Sequence, residues 1–84
     1  METNHILRQQ ILDIVDNQMK ANEPQETNLT FKRLIEQGYS DSDAKILIAQ
    51  CVSVEIFKII KNKEPFDLER YVTNLNRLPK EPFD

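Results

Sequence analysis

Apolar residues recur at spacings of three and four along the first part of the chain, which is the periodicity of one helix face. These residues are Leu7, Ile11, Ile14 and Val15. Gln18 continues the same face, while Gln9, Asp13, Asp16 and Lys20 lie opposite it. The pattern predicts an amphipathic helix over residues 5–21, with Thr3 or Asn4 as its N-cap.

A second helix is predicted over residues 24–37, because Pro24 fits the first turn of a helix, where a missing N–H breaks no hydrogen bond. Its thin apolar face consists of Phe31, Leu34 and Ile35. Gly38 follows at the position where a left-handed residue commonly ends a helix. The pattern therefore assigns the only glycine of the chain to a turn.

The third segment opens with Ser40, a favoured N-cap residue, and with Asp43 three residues later in a capping-box arrangement. The serines and aspartates of residues 40–43 lack the spacing of a calcium-binding loop. A helix predicted over residues 41–62 then carries apolar residues nearly all the way round. They are Ile46, Leu47, Ile48, Cys51, Val52, Val54, Ile56, Phe57, Ile59 and Ile60. Such a helix is central to its domain or covered by another chain, and we expect both.

A fourth helix is predicted over residues 68–77, with Asp67 as its N-cap and with Phe66 and Tyr71 spaced as a hydrophobic staple. Pro79 ends it, and residues 79–84 are expected to form a flexible tail. The four helices predict an all-α fold, a small four-helix bundle-like single domain over residues 1–84 with a central apolar third helix.

One short sequence occurs twice, because residues 63–67 and residues 80–84 both read Lys-Glu-Pro-Phe-Asp. The first copy is explained as a turn and a helix cap. The second copy caps no predicted helix. It is either an idle tail or an exposed peptide that binds a groove in a neighbouring subunit.

The 84 residues carry a net charge of −3, which disfavours nucleic acid as a partner, since phosphate binding needs clustered basic residues. Lys58, Lys61 and Lys63 form one small basic group, best explained as cations near a helix C-terminus. No apolar run is long enough to span a bilayer and no leader pattern is present, so we expect no membrane and a cytoplasmic location.

Neither cysteine nor histidine chemistry is favoured by the sequence. Cys51 is the only cysteine and lies in an apolar run, which is typical of a core residue. His5 is the only histidine, so a metal site would lack a second strong ligand. A single glycine cannot build a phosphate-binding loop. We therefore expect no metal and no cofactor.

Glu55 is the one carboxylate predicted on an apolar helix face, because it shares that face with Ile48, Cys51 and Ile59. A buried carboxylate needs a partner or a proton. One interpretation is an ion pair with Arg33, Arg8 or Arg70. The other is a ligand-binding, metal-binding or acid–base group in a pocket between helices. The candidate binding residues are Glu55 and Arg33, and no catalytic residue is assigned.

Several short motifs carry a family resemblance. They are Asn17-Gln18-Met19, Asn22, Pro24, Phe31, Arg33-Leu34, Gly38, Asp43-Ala44, Glu55-Ile56, Pro65-Phe66-Asp67 and Tyr71. Over residues 11–78 the chain resembles a bacterial family of short all-helical proteins of unknown function. Many members of that family carry histidines where this chain has Leu12, Ser42 and Ile46. The resemblance therefore implies that any role of those histidines is missing here, while the match at Glu55 implies a structural carboxylate.

Together these patterns favour a non-enzymatic oligomerising or adaptor module that recognises a protein through apolar helix faces. A homo-oligomer is expected, and a different protein partner stays open. The alternative is a small-molecule-binding or metal-binding helical domain, or an enzyme, that uses Glu55 in a pocket between helices.

Overall fold

Four helices make up most of the chain that the computed structural model describes, which is residues 2–82, with side chains described from residue 6 onward. They are α1 (Glu2–Ala21), α2 (Gln25–Glu36), α3 (Asp41–Asn62) and α4 (Leu68–Arg77). The described residues contain no strand. The predicted all-α, four-helix fold is confirmed.

The bounds of α3 and α4 are those predicted from the sequence, whereas α1 and α2 differ. The first helix begins at Glu2 instead of residue 5, so neither Thr3 nor Asn4 is its N-cap. Nothing in the first residues stops a helix, because they contain neither proline nor glycine. The second helix is one residue shorter at each end than predicted, because Pro24 is its N-cap and Gln37 its C-cap.

Hydrogen bonds at the turns explain why the helices begin and end where they do. Gly38 has a φ of +104°, and the backbone N–H groups of Gly38 and Tyr39 donate to Ile35 and Leu34, which is the predicted C-terminal motif. Ser40 Oγ then accepts from the N–H of Asp43 at 3.1 Å and caps α3. The chain therefore reverses between α2 and α3 within four residues.

The predicted staple and cap of α4 are also present. Asp67 accepts a hydrogen bond from the N–H of Arg70, which fixes the first turn of α4. The rings of Phe66 and Tyr71 meet edge to face with centroids 5.3 Å apart. The predicted tail is described as far as Pro82 and holds no helix, and Phe83 and Asp84 lie outside the described residues.

The core lies where α3 meets the three other helices, so α3 is central as predicted. Ten buried apolar residues form it: Ile11, Val15, Leu34, Ala44, Ile48, Cys51, Val52, Tyr71, Leu75 and Leu78. Helix α2 also contacts all three of the others, although its predicted apolar face was thin. Its buried residues are Thr27, Thr30 and Leu34, so two threonines complete the face that hydropathy alone left incomplete.

Among residues 2–82, no helix is both long enough and apolar enough to cross a bilayer. Even α3, with 22 residues, carries too many charged side chains along its length.

We expect Gly38→Ala to lower the free energy of unfolding by about 1–2 kcal/mol, because an L-residue is strained at positive φ. No heavy atom outside the turn lies within 4 Å of the added Cβ, so the cost arises from the backbone alone. The matched control is Gln37→Ala, since Gln37 is exposed and has a φ of −80°. Urea unfolding measures both, and equal stability of the two variants would contradict the assignment.

Candidate interaction surface

Glu55 is fully buried, and both of its carboxylate oxygens accept hydrogen bonds from the start of α4. Arg70 Nε donates to Oε2 at 2.6 Å and Arg70 Nη2 donates to Oε1 at 3.0 Å. The backbone N–H of Asp67 also donates to Oε1, at 2.8 Å. The expected ion pair is therefore present, and Arg70 is the partner among the three arginines considered. Its hydrogen bonds to Glu55 raise the pKa of Arg70 above the ordinary value.

Arg33, the other candidate binding residue, lies at the opposite end of α4. Its Nη1 donates to the carbonyl of Leu78 and its Nη2 to the carbonyl of Leu75, each at 2.9 Å. These carbonyls end α4, where the last turn of a helix leaves acceptors without intrahelical partners. The structure therefore does not bring Arg33 and Glu55 together. Each holds one end of α4, with the charge that suits the helix dipole at that end.

A buried polar cluster that the sequence analysis missed joins α1, α2 and α4. Gln18 Oε1 accepts from the hydroxyls of Thr27 and Tyr71, both at 2.7 Å, and these two hydroxyls lie 3.0 Å apart. Through this cluster the side chain of Tyr71 reaches α1, although the backbones of α1 and α4 are not neighbours along the described chain. One residue in the sequence indicated such a cluster: Gln18 is polar but lies on the predicted apolar face of α1.

The remaining candidates for chemistry are buried or fall outside the described side chains. Cys51 is fully buried in the core as expected, and burial raises the pKa of its thiol to about 12. A thiol in that state is a poor nucleophile at neutral pH. The side chain of His5 lies outside the described residues. Among those described, no three His, Cys, Asp or Glu side chains come together as a metal site.

Every buried side-chain nitrogen and oxygen described for this chain has a hydrogen-bond partner. The polar groups inside the bundle therefore bind one another and stabilise its packing. The packing of the bundle does not explain, however, why several large apolar side chains are exposed to solvent.

These side chains concentrate where α3 ends and α4 begins. Phe57 is 57% exposed and Ile60 is 65% exposed, although both belong to the central helix. We call the exposed side chains at this end the terminal apolar surface, which consists of Phe57, Ile59, Ile60, Phe66 and Leu68. Glu55, near the end of α3, holds Asp67 and Arg70, so the end of α3 and the start of α4 lie at the same end of the bundle. Phe57 and Ile60 lie one turn apart on α3, and exposed apolar side chains grouped in this way mark binding surfaces.

A groove of about 330 Å³ between α1 and α3 adjoins this surface at Phe57. Its apolar lining consists of Leu7, Ile11, Leu12, Ile46, Ala49 and Phe57. The two helices run antiparallel, since Lys45 near the start of α3 pairs with Asp16 of α1 at 2.9 Å, whereas Phe57 faces Leu7 across the groove. The groove therefore extends the terminal apolar surface along the side of the bundle.

We expect Glu55→Gln to lower the free energy of unfolding by about 2 kcal/mol, because the amide cannot accept from Arg70 and the Asp67 N–H as the carboxylate does. Arg70→Gln is expected to destabilise the fold more, since it leaves a buried carboxylate without its cation. Urea unfolding of both single variants and the double variant measures the coupling. Additive losses would contradict a direct ion pair.

We expect a stability loss at high pH that depends on Tyr71, because burial raises the pKa of its hydroxyl to about 12. In the unfolded chain a tyrosine ionises near pH 10. The buried, protonated hydroxyl of Tyr71 therefore contributes its full share to the free energy of unfolding below about pH 10. That contribution falls by up to about 3 kcal/mol as the pH rises from about 10 toward 12. Unfolding free energies of wild type and Tyr71→Phe between these values test this. If the unfolding free energies of wild type and Tyr71→Phe fall equally steeply with pH, the prediction is wrong.

No protein-family model, no curated protein and no solved structure matches this chain. The resemblance to a bacterial family of short helical proteins therefore stays a prediction from the sequence.

Proposed function

We propose that this chain is a non-enzymatic oligomerising or adaptor module that binds protein through its terminal apolar surface. The observation that carries the proposal is the exposure of Phe57 and Ile60, each more than half accessible on consecutive turns of the central helix. Burying one such side chain against a partner contributes roughly 1.5–3 kcal/mol. A partner that covers both gains a substantial part of the free energy that a stable complex needs.

The adjoining groove supports the proposal, because a partner seated on Phe57 can also cover Leu7 and Ile46 along α1 and α3. Specific protein interfaces bury about 800 Å² on each partner, which is more than a single helix end provides. The groove adds its apolar lining to the terminal apolar surface at Phe57, which belongs to both. The helix-in-groove mode of recognition requires an apolar cleft of this kind.

The alternative, an enzyme or ligand-binding domain that uses Glu55, has less support. Glu55 is fully buried, and its oxygens already accept three hydrogen bonds. A ligand would have to displace Arg70 and the Asp67 N–H before reaching the carboxylate. The groove between α1 and α3 does not include Glu55.

We expect the pure chain to form a species larger than a monomer at about 100 µM, as measured by size-exclusion chromatography with light scattering. Replacing Phe57 and Ile60 together by Gln should raise the dissociation constant at least about tenfold, because the apolar contacts are lost. Both residues are exposed, so the stability of the fold should change little.

The matched control is Leu29→Gln on α2, since Leu29 is 61% exposed but lies away from the terminal apolar surface. It should leave the assembly unchanged. A monomeric wild type, or an equal effect of the control and the double substitution, would refute self-association through this surface.

A further inference from the structure

Charge is segregated along the two segments that carry the terminal apolar surface. Residues 57–63 contain Lys58, Lys61 and Lys63 and no acidic residue. Residues 64–69 contain Glu64, Asp67 and Glu69 and no basic residue. Exposed apolar side chains lie in both segments. The surface therefore has a basic part and an acidic part of equal formal charge.

Four of these six charges are available to a partner. Within residues 6–82, Lys58, Lys61 and Glu69 form no ion pair. Glu64 accepts a hydrogen bond from Asn62 at 2.9 Å, and its charge is one of those that raise the pKa of Arg70. Lys58 and Lys61 also line a shallow groove beside Phe57.

The other two charges have local roles. Lys63 is the left-handed C-cap of α3. Asp67 caps α4 and lies 3.8 Å from Arg70. Substitutions that probe the surface should therefore avoid both residues.

The basic and acidic parts adjoin each other along the chain, because Lys63 directly precedes Glu64 and the side chain of Asn62 donates to Glu64 at 2.9 Å. Glu55 holds the N–H of Asp67 and the side chain of Arg70, so the start of α4 lies beside α3. A partner that covers Lys61 therefore also approaches the segment that carries Glu64.

We propose that the partner is a second copy of this chain, related by a two-fold axis, in which the basic part of one surface faces the acidic part of the other. This inference rests on the proposed function. A two-fold interface uses the same patch twice, so it needs a patch that is complementary to itself. A patch whose basic part and acidic part lie on opposite sides of the axis, with apolar side chains between them, meets that condition.

Partners of a single charge sign fit this surface less well. A nucleic acid or an anionic membrane attracted by Lys58 and Lys61 would be repelled by Glu64 and Glu69. A uniformly acidic protein would meet the same repulsion. Like charges brought together at an interface cost several kcal/mol, so the mixed pattern selects against such partners.

A charge exchange between two variants tests the pairing. The acidic variant is K58E/K61E and the basic variant is E64K/E69K. Alone, each should be at least about tenfold weaker in self-association than wild type, because like charges then meet at both contacts. Mixed in equal amounts, they should form a heterodimer within about threefold of wild-type affinity, since each contact again joins opposite charges. Sedimentation equilibrium and native mass spectrometry measure both quantities.

Matched controls carry the same changes of net charge away from the surface. They are K20E/K32E and E23K/E36K, whose four residues are all exposed. Each should associate as wild type does. Circular dichroism melts show whether a variant is folded. If either exchange variant unfolds, the wild type itself supplies the test, because raising the salt from about 0.05 M to about 0.5 M should weaken a charge-paired dimer several-fold.

The outcomes separate the two proposals. A wild-type assembly that depends on Phe57 and Ile60 but ignores both the charge exchange and salt would overturn the charge pairing and leave the proposed function standing. Variants that associate alone as wild type does, or a mixture that stays monomeric, would also overturn the pairing. A monomeric wild type would overturn self-association itself.

Discussion

The carboxylate of Glu55 is the constraint on which the arrangement of the helices depends. A fully buried charge needs a cation and hydrogen-bond donors, and Glu55 obtains both from the start of α4. Helix α4 has only ten residues, too few to be stable alone in water. Glu55 at its N-terminus and Arg33 at its C-terminus therefore hold α4 in place.

The same contact determines what stays uncovered. Glu55 holds the start of α4 beside α3, and the last seven residues of α3, about two turns, extend beyond Glu55. Helices α2 and α4, with 12 and 10 residues, are about half the length of α3, which has 22. Only α1 has a comparable length. Phe57 and Ile60 belong to these last turns of α3, and each is more than half exposed.

The sequence predicted helix caps and turns, which depend on residues close together in the chain. It did not predict side-chain partners that only the packing of the helices brings together. The cap at Ser40, the turn at Gly38 and the staple of Phe66 on Tyr71 all depend on neighbours in sequence, and all are present. The choice of Arg70 could not be predicted, because three arginines were equally suitable until the helices were packed. Arg33 was expected to be a binding residue because of its charge, but its acceptors are backbone carbonyls, which no residue pattern marks.

Hydropathy alone failed to identify two kinds of residue: polar residues that are buried and large apolar residues that are exposed. It overlooked the buried Thr27 and Thr30, and the hydroxyl of Thr27 is satisfied because it donates to Gln18. Apolar residues also lie nearly all the way round α3, whereas the side chains that the single chain buries lie on one side of it. Folding therefore explains the buried threonines but not the apolar turns at the end of α3. Isolated exposed residues such as Leu29 need no explanation. Phe57 and Ile60 do need an explanation, because Phe57 lines a groove and both residues lie in the basic segment that directly precedes the acidic one.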